Sequence, residues 1–228
     1  MAIRALAVTA HYDDALLWAG GTIRRTHEMG WDWTVVATCV DDDSRRAYFE
    51  AWCASLDIRS VHLPFIDHPD GAPFSQNRSD DMFSAVHAAA ADMSFDWLFT
   101  HSLSSSAEYG PHPNHAEAAR TAVRLIERSF AKTGLVSFAY RATFRADGVA
   151  ACASPSASHY VQLAYDQLQW KAAWCARAHE IECRDPTLDG RSWLERLAWP
   201  CPNPEAFLGT NIGLPALFRP STHGTFAS

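Results

Sequence analysis

Short apolar runs of strand length alternate with longer segments of helical spacing, and this alternation is the feature that most constrains the fold. Residues 3–10 and 33–40 are apolar, and the second run is rich in β-branched side chains, as buried strands are. Between them, residues 15–29 have helical spacing and are followed by Gly30, where a helix C-cap glycine belongs. Strands joined by helices indicate a parallel sheet, because each connection has to cross a face of the sheet.

The alternation of strands and helices continues to about residue 182. From residue 186 onward Pro, Gly and Trp are frequent, and no hydrophobic period can be read. We therefore predict a Rossmann-like α/β fold, with a mostly parallel sheet and helices on both faces, in a single domain of residues 1–228 whose tail from about residue 186 is unassigned. The remaining predicted strands are residues 61–65, 96–100 and 135–140, and the remaining predicted helices are 45–56, 81–93, 113–132 and 165–182.

Charge and composition argue against several classes of partner. The net charge is −7, which disfavours a nucleic acid or an anionic membrane surface as the main partner. No run in the sequence approaches the ~18 apolar residues that a membrane helix needs, and the N-terminal run is too short for a signal-peptide core. We therefore expect a cytoplasmic protein with reduced, mostly buried cysteines, since none of the six forms a CxxC pair. A homo-oligomer is possible.

Polar clusters follow the predicted strands. The letters HYDD at 11–14 come directly after the first strand, and HPNH at 112–115 begins the helix after the fourth strand. In open α/β sheets, ligands bind outside the carboxyl ends of the strands. We therefore expect both clusters on one edge of the sheet, which is the predicted active-site edge.

The first cluster combines a histidine with two acidic residues. His11 and Asp14 are three residues apart, so in a turn or first helical turn both side chains can point at one atom. Asp13 lies between them, projects elsewhere and would be available as a base. An aspartate at a helix start also caps backbone N–H groups, but two adjacent aspartates after a histidine exceed what a cap requires.

The second cluster adds two histidines. Pro113 suits the first position of a helix, so His112 and His115 flank the first turn. On its own this cluster is explained equally well by solvated or capping histidines. Combined with His11 and Asp14 it supplies a His, Asp, His set, which suits a catalytic zinc with three protein ligands and one position for water. Ligands without thiolate fit zinc but leave Fe(II), Mn(II) and Co(II) open.

The two clusters resemble the motifs of a known family. HYDD, followed by WAGGTI at 18–23, and HPNH in mid-chain are similar to the metal motifs of the LmbE/PIG-L superfamily of zinc-dependent de-N-acetylases. The resemblance extends from residue 3 to residue 183, which is most of the chain. Weaker matches to family positions are Arg45 or Arg46 with Leu56, Asp67 or Asp70-Gly71, and Lys171 with His179.

This resemblance implies a site and a reaction. The zinc ligands would be His11, Asp14 and His115, although other divalent first-row metals also suit this set. Asp13 would be the general base that takes a proton from metal-bound water. His112 would stabilise the developing charge or protonate the leaving amine. The implied substrate is a small molecule: an amino sugar, an N-acetylated glycoside or a natural-product intermediate that loses its N-acetyl group.

Four further residues lie where substrate contacts are expected. Arg45 begins the helix after the second strand, and Asp67 lies in the loop after the third. His101 directly follows the fourth strand, and Tyr140 ends the fifth. The alternative for Arg45 is a capped, solvated helix start, and for His101 it is a solvated loop residue.

Three residues depart from the family motifs and keep other functions open. Tyr12 replaces the usual proline, Ala15 the usual glutamate, and Asn114 the aspartate of bacterial members. Without the carboxylate at position 15, the chain could be a metal-binding protein that acts on another amide or does not catalyse. A nucleotide-binding Rossmann module is disfavoured, because no GxGxxG is present and two aspartates would repel a phosphate.

Overall fold

The computed structural model describes most of the chain and confirms the alternation of strands and helices. The described residues are 2–40, 42–66, 76–90, 94–103, 112–129, 132–145, 148–182, 205–209 and 218–220. The first part of the chain forms β1 (Arg4–Thr9), α1 (Asp14–Glu28), β2 (Asp32–Ala37), α2 (Asp43–Ala54), β3 (Arg59–His62), α3 (Gln76–Ala90), β4 (Trp97–Thr100), α4 (Pro113–Arg128) and β5 (Gly134–Phe138). It is followed by β6 (Tyr140–Arg145), β7 (Gly148–Ala153), β8 (His159–Val161), α5 (Tyr165–Glu182), β9 (Glu205–Gly209) and β10 (Arg219–Pro220).

Within the described residues, eight strands form one sheet in the order β10-β8-β9-β5-β4-β1-β2-β3. The five adjacent strands β3, β2, β1, β4 and β5 pair with one another in parallel, which confirms the mostly parallel sheet. An antiparallel extension of β9, β8 and β10 continues the sheet beyond β5. This extension was not predicted, because its strands are short and β9 and β10 lie in the part of the sequence without a readable period. Strands β6 and β7 form a separate hairpin.

Helices cover both faces of the sheet, as the sequence predicts. Alternate residues of β1 point to opposite faces, so Ala5 and Ala7 join one apolar cluster and Leu6 and Val8 the other. The first cluster includes buried residues of α1, α2 and α5, and the second includes those of α3 and α4. Among the described helices, none is both long and apolar enough to cross a membrane.

Helix and strand ends follow local sequence signals. Gly30 after α1 has φ +89°, a conformation that favours glycine. The side chain of Asp42 accepts hydrogen bonds from the backbone of Ser44 and Arg45, so the acidic stretch before α2 is a capped helix start. Strand β3 begins two residues and ends three residues earlier than predicted, before Pro64, which has no N–H to donate to the ladder.

Gly21 allows α1 to pack closely against the chain between β8 and α5. A Cβ atom on Gly21 would lie 2.4 Å from the methyl carbons of Leu163. A carboxylate from β9 also reaches the helix here, since Glu205 accepts hydrogen bonds from the backbone N–H of Gly21 at 2.9 Å and of Thr22 at 2.7 Å. The ammonium of Lys171 in α5 donates to the same carboxylate at 2.5 Å. Both side chains are 0% exposed, so this ion pair is shielded from solvent.

A second contact joins α1 to the antiparallel extension. The hydroxyl of Tyr140 donates to the carbonyl of Trp18 at 2.9 Å and accepts from the backbone N–H of Ala206 at 2.9 Å. The middle of α1 is therefore held by polar contacts to β6 and β9 as well as by apolar packing. Because α1 begins at Asp14, these contacts also fix the helix that carries the first polar cluster.

Replacing Glu205 by Gln is expected to reduce the free energy of unfolding by about 3–5 kcal/mol, because the buried ammonium of Lys171 loses its counter-charge. The matched control is Asp166→Asn, since Asp166 pairs with Arg24 of the same helix α1 but has a side chain that is 66% exposed. That change should cost less than about 1 kcal/mol. Urea unfolding measures both, and equal losses would contradict the prediction.

Replacing Gly21 by Ala is expected to destabilise the fold by about 1–3 kcal/mol, because the new methyl group overlaps Leu163. Leu163→Ala in the same chain makes room for that methyl group. The double variant should therefore lose less stability than the sum of the two single variants. Thermal unfolding of the three variants tests this, and strictly additive losses would show that the two positions do not share the contact.

Candidate functional site

The strand order brings the two polar clusters together. Strands β1 and β4 are neighbours, with Val8 opposite Thr100, although they are far apart in the sequence. On one side of this pair the chain continues to β2, and on the other to β5, so this is where the strand order reverses. Open α/β sheets bind ligands at such a point, outside the carboxyl ends of the strands. His11 and His101 follow these two strands, and His115 lies in the first turn of α4.

The turn after β1 places Asp14 beside His11. The backbone N–H of His11 donates to Asp14 Oδ2 at 2.7 Å. Asp13 occupies the N-cap position of α1, but its side chain makes no cap hydrogen bond. A capping role therefore does not account for the carboxylate of Asp13, which is 7% exposed.

Three side chains meet at metal-ligand spacing. His11 Nδ1 lies 3.3 Å from Asp14 Oδ2 and 3.2 Å from His115 Nε2. His115 Nε2 lies 3.5 Å from Asp14 Oδ1. In a tetrahedral site with ligand bonds of about 2.0–2.1 Å, the ligand atoms are about 3.3 Å apart. The three residues predicted as zinc ligands therefore lie close together, with donor atoms that suit a divalent first-row metal.

Two other combinations of side chains around this point could also hold a cation. Within the described residues, one group is His11, His112 and His115, and the other is Asp14, His101 and His115. In each group the possible ligand atoms lie within 4.8 Å of one another. His115 belongs to both groups, so it is the common member of the site.

The ionisation of Asp14 suits the role of an anionic metal ligand. Burial raises the pKa of its carboxyl group, but the neighbouring imidazoles of His115, His101 and His11 outweigh burial. Together they hold this pKa well below its usual value. The carboxylate is therefore ionised at neutral pH.

His112 caps α4 and at the same time borders the site. Its Nδ1 accepts a hydrogen bond from the backbone N–H of Asn114 at 3.3 Å. In the neutral ring this bond places the proton on Nε2, so that nitrogen is a donor. The ring meets the ring of His11 edge-on with centroids 4.8 Å apart. The capping interpretation of His112 is therefore correct, and it is compatible with a second role in the site.

The residues that depart from the family motifs occupy different environments. Tyr12 is 3% exposed, and its ring meets Tyr48 of α2 edge-on at 5.4 Å. Ala15 is 1% exposed and belongs to the apolar cluster beneath α1. Asn114 is fully buried, and neither its side-chain oxygen nor its nitrogen has a hydrogen-bond partner. Burying these two atoms unpaired is costly.

The four predicted substrate contacts fall in different places. The guanidinium of Arg45 lies over the ring of Tyr12 at 5.8 Å from its centroid. His101 is 1% exposed and lies against Asp14 and His115. Tyr140 is also 1% exposed, with its hydroxyl bonded to backbone groups. Asp67 lies outside the described residues.

One residue of the framework was missed at the sequence level. Glu205 lies in the unassigned tail, and a single acidic residue there gives no signal of burial. Lys171, by contrast, was noted as a weak family match, and its partner is Glu205. The side chain of His179, the other weak match, is not among those described.

Solved structures with the same fold include two kinds of enzyme. A zinc-inhibited form of teicoplanin deacetylase has a TM-score of 0.55 at 16% identity, over 76% of this chain and 83% of that chain. The N,N′-diacetylchitobiose deacetylase of Pyrococcus horikoshii has a TM-score of 0.57 at 18% identity, over 92% of this chain and 84% of that chain. The 4-carboxy-2-hydroxymuconate hydratase of Pseudomonas putida has a TM-score of 0.56 at 14% identity, over 91% of this chain and 95% of that chain. At such low identity these similarities establish the fold alone.

Sequence comparison identifies the family. No curated protein matches this sequence closely enough to count as a relative. The family model for PIG-L, described as GlcNAc-PI de-N-acetylase, matches residues 6–126, which is more than half of the chain. The matched segment includes both polar clusters and His101. The chain therefore belongs to the PIG-L (LmbE-like) family, as the two motifs had indicated.

Proposed function

We propose that this protein is a zinc-dependent N-deacetylase, which hydrolyses the linear amide of an N-acetylated amino sugar, glycoside or natural-product intermediate. The observation that carries the proposal is the mutual spacing of His11, Asp14 and His115, at 3.2–3.5 Å between ligand atoms. Membership of the PIG-L family supports the same reaction class. The shared fold with a teicoplanin deacetylase and a diacetylchitobiose deacetylase agrees with a sugar or glycoside substrate.

The metal would be held by His11, Asp14 and His115, which offer two imidazoles and one ionised carboxylate. Such an ion supplies Lewis acidity towards water and towards an amide carbonyl. Zinc suits this donor set, and other divalent first-row metals suit it as well. The low pKa of Asp14 means that the anionic ligand is ready at neutral pH.

Asp13 is the proposed general base. It neighbours the ligand Asp14 in the sequence, and its carboxylate is not used to cap α1. A carboxylate within hydrogen-bond reach of the attacking water can take its proton as the bond to the carbonyl carbon forms. Because Asp13 is 7% exposed, little bulk water competes for that proton.

His112 is the proposed donor on the other side of the substrate. The hydrogen bond from Asn114 to Nδ1 holds the ring and keeps a proton on Nε2. A donor fixed in this way can stabilise negative charge on the former carbonyl oxygen or deliver a proton to the leaving amine. The hydrogen bond that caps α4 therefore also orients the imidazole ring of His112.

Substrate selection is proposed to depend on residues around the edge of the sheet. Arg45 at the start of α2 and Asp67 after β3 are the proposed polar contacts with the sugar. The hydroxyl of Tyr140 is bonded to the backbone, so a contact from this residue would come from its ring. We also propose a cytoplasmic location, in which the protein acts on a small molecule and not on a nucleic acid or membrane.

Asp13→Asn is expected to abolish hydrolysis while zinc stays bound, since the variant loses the base and keeps all three ligands. Release of acetate from a panel of N-acetylated sugars and glycosides, before and after chelation and zinc restoration, measures the activity. The matched control is Asp32→Asn, because Asp32 begins β2 with a side chain that is 64% exposed. Full activity of Asp13→Asn would rule out the assigned base.

His115→Ala is expected to reduce bound zinc from one ion per chain to a small fraction, because this residue belongs to every group of possible ligands around the site. Metal analysis after gel filtration measures the stoichiometry. His87→Ala is the matched control, since His87 lies on α3 and contacts Ser129. Unchanged zinc content in His115→Ala would show that the ligand set is wrong.

A metal-binding protein with another reaction is the second candidate. Ala15 lies in an apolar cluster where the family usually has a glutamate, so a carboxylate that would support the site is missing. The hydratase of the same fold shows that this architecture is not restricted to deacetylation. A zinc-loaded protein that releases no acetate from any of the panel would favour this candidate.

A further inference from the structure

His101 occupies a position beneath the proposed metal ligands. It is the first residue after β4, and its side chain is 1% exposed. The side chain of His11 is 19% exposed by comparison. His101 is therefore enclosed by the protein and does not lie at the open side of the site.

One ring nitrogen of His101 fixes the backbone that leads into the first motif. The backbone N–H of Ala10 donates to His101 Nε2 at 3.2 Å. A backbone amide can only donate, so Nε2 is the acceptor in this contact. Ala10 immediately precedes His11. The imidazole of His101 thus binds the backbone amide of Ala10 just beyond the last pair of β1 and β4. This contact fixes the backbone immediately before His11.

The same ring contacts two of the three proposed ligands. His101 Nε2 lies 3.2 Å from Asp14 Oδ2. Its face stacks on the ring of His115, with centroids 4.0 Å apart and planes at 10°. The ring of Phe138 meets His101 nearly perpendicularly at 5.6 Å. The position of His101 is therefore determined by β1, β5 and α4 together, and it restricts how far Asp14 and His115 can move.

We propose that His101 is a positioning residue that holds Asp14, His115 and the backbone before His11 in their metal-binding arrangement. This inference rests on the proposed function. Nε2 contacts the amide of Ala10 and the carboxylate of Asp14, and the ring presents its face to His115. A ligand imidazole would instead direct a nitrogen lone pair at the ion. Residues that orient metal ligands commonly change metal affinity about 10- to 100-fold when they are replaced.

The experiment uses the full chain loaded with Co(II), whose visible absorption reports the number and type of ligands. Three variants separate the two contacts of the ring: His101→Ala removes both, His101→Gln keeps an acceptor for Ala10, and His101→Phe keeps a ring for His115. Competition with a chromophoric chelator gives the Co(II) dissociation constant. Thermal unfolding of the metal-free proteins shows whether each variant is folded. His62→Ala is the control, since His62 ends β3 and pairs with Glu50.

We expect Co(II) binding to weaken about 10- to 100-fold in His101→Ala and by less in each of the Gln and Phe variants. The absorption spectrum at saturation should keep the wild-type intensity, because no ligand is lost. If His101→Ala does not fold, the Gln and Phe variants provide the same comparison. A purely structural role would lower the unfolding temperature and leave the dissociation constant of the folded protein unchanged.

Three outcomes would overturn the inference. An unchanged dissociation constant in the variants would remove the positioning role and leave the proposed function standing. A changed intensity at saturation would show that His101 is itself a ligand, as its grouping with Asp14 and His115 allows. A wild-type protein that binds no Co(II) and no zinc would overturn the proposed function, and the inference with it.

Discussion

The parallel pairing of β1 with β4 is the interaction on which the site depends. These strands are separated by three helices and two other strands in the sequence, yet their backbones are hydrogen-bonded in register from Ala5 and Trp97 onward. Their carboxyl ends therefore open at the same place. Every proposed metal ligand lies on a segment that leaves this pair or on the helix that follows it. The pairing thus converts two distant motifs into one cluster, where four histidines and the buried carboxylate of Asp14 come within a few ångströms.

Helix α1 connects that cluster to the rest of the fold. Its first residue is Asp14, and its middle is held by Glu205, by Lys171 through Glu205, and by Tyr140. A buried ion pair of this kind is weak evidence for extra stability, because desolvation offsets much of the attraction. It does restrict the arrangement, since either charge alone would be costly to bury. The pair therefore gives the antiparallel extension a direct connection to the helix that carries the site.

The departures from the family motifs have distinct physical consequences. Tyr12 packs towards α2 and forms an aromatic contact with Tyr48, so its phenol contributes to the seam between helices. Ala15 lies in the apolar cluster, where a carboxylate would have to be desolvated. Asn114 is buried with unpaired polar atoms beside His112 and His115, so the site has no anion at the position where bacterial relatives have one. The proposed ligands are thus surrounded by fewer charged side chains than the family motifs would supply.

The local sequence alone determined the elements of the parallel half and the identity of the metal motifs. Hydrophobic period, the turn at Gly30 and the cap at Asp42 depend on neighbouring residues, and they predicted the strands and helices up to β5 and the edge on which HYDD and HPNH would lie. Tertiary structure decided what those residues contact. The burial of His101 under Asp14 and His115, and the pairing of Lys171 with Glu205, arise between segments that are distant in the sequence. No local pattern encodes them, because a lone histidine or glutamate has the same sequence signature whether it is solvated or enclosed.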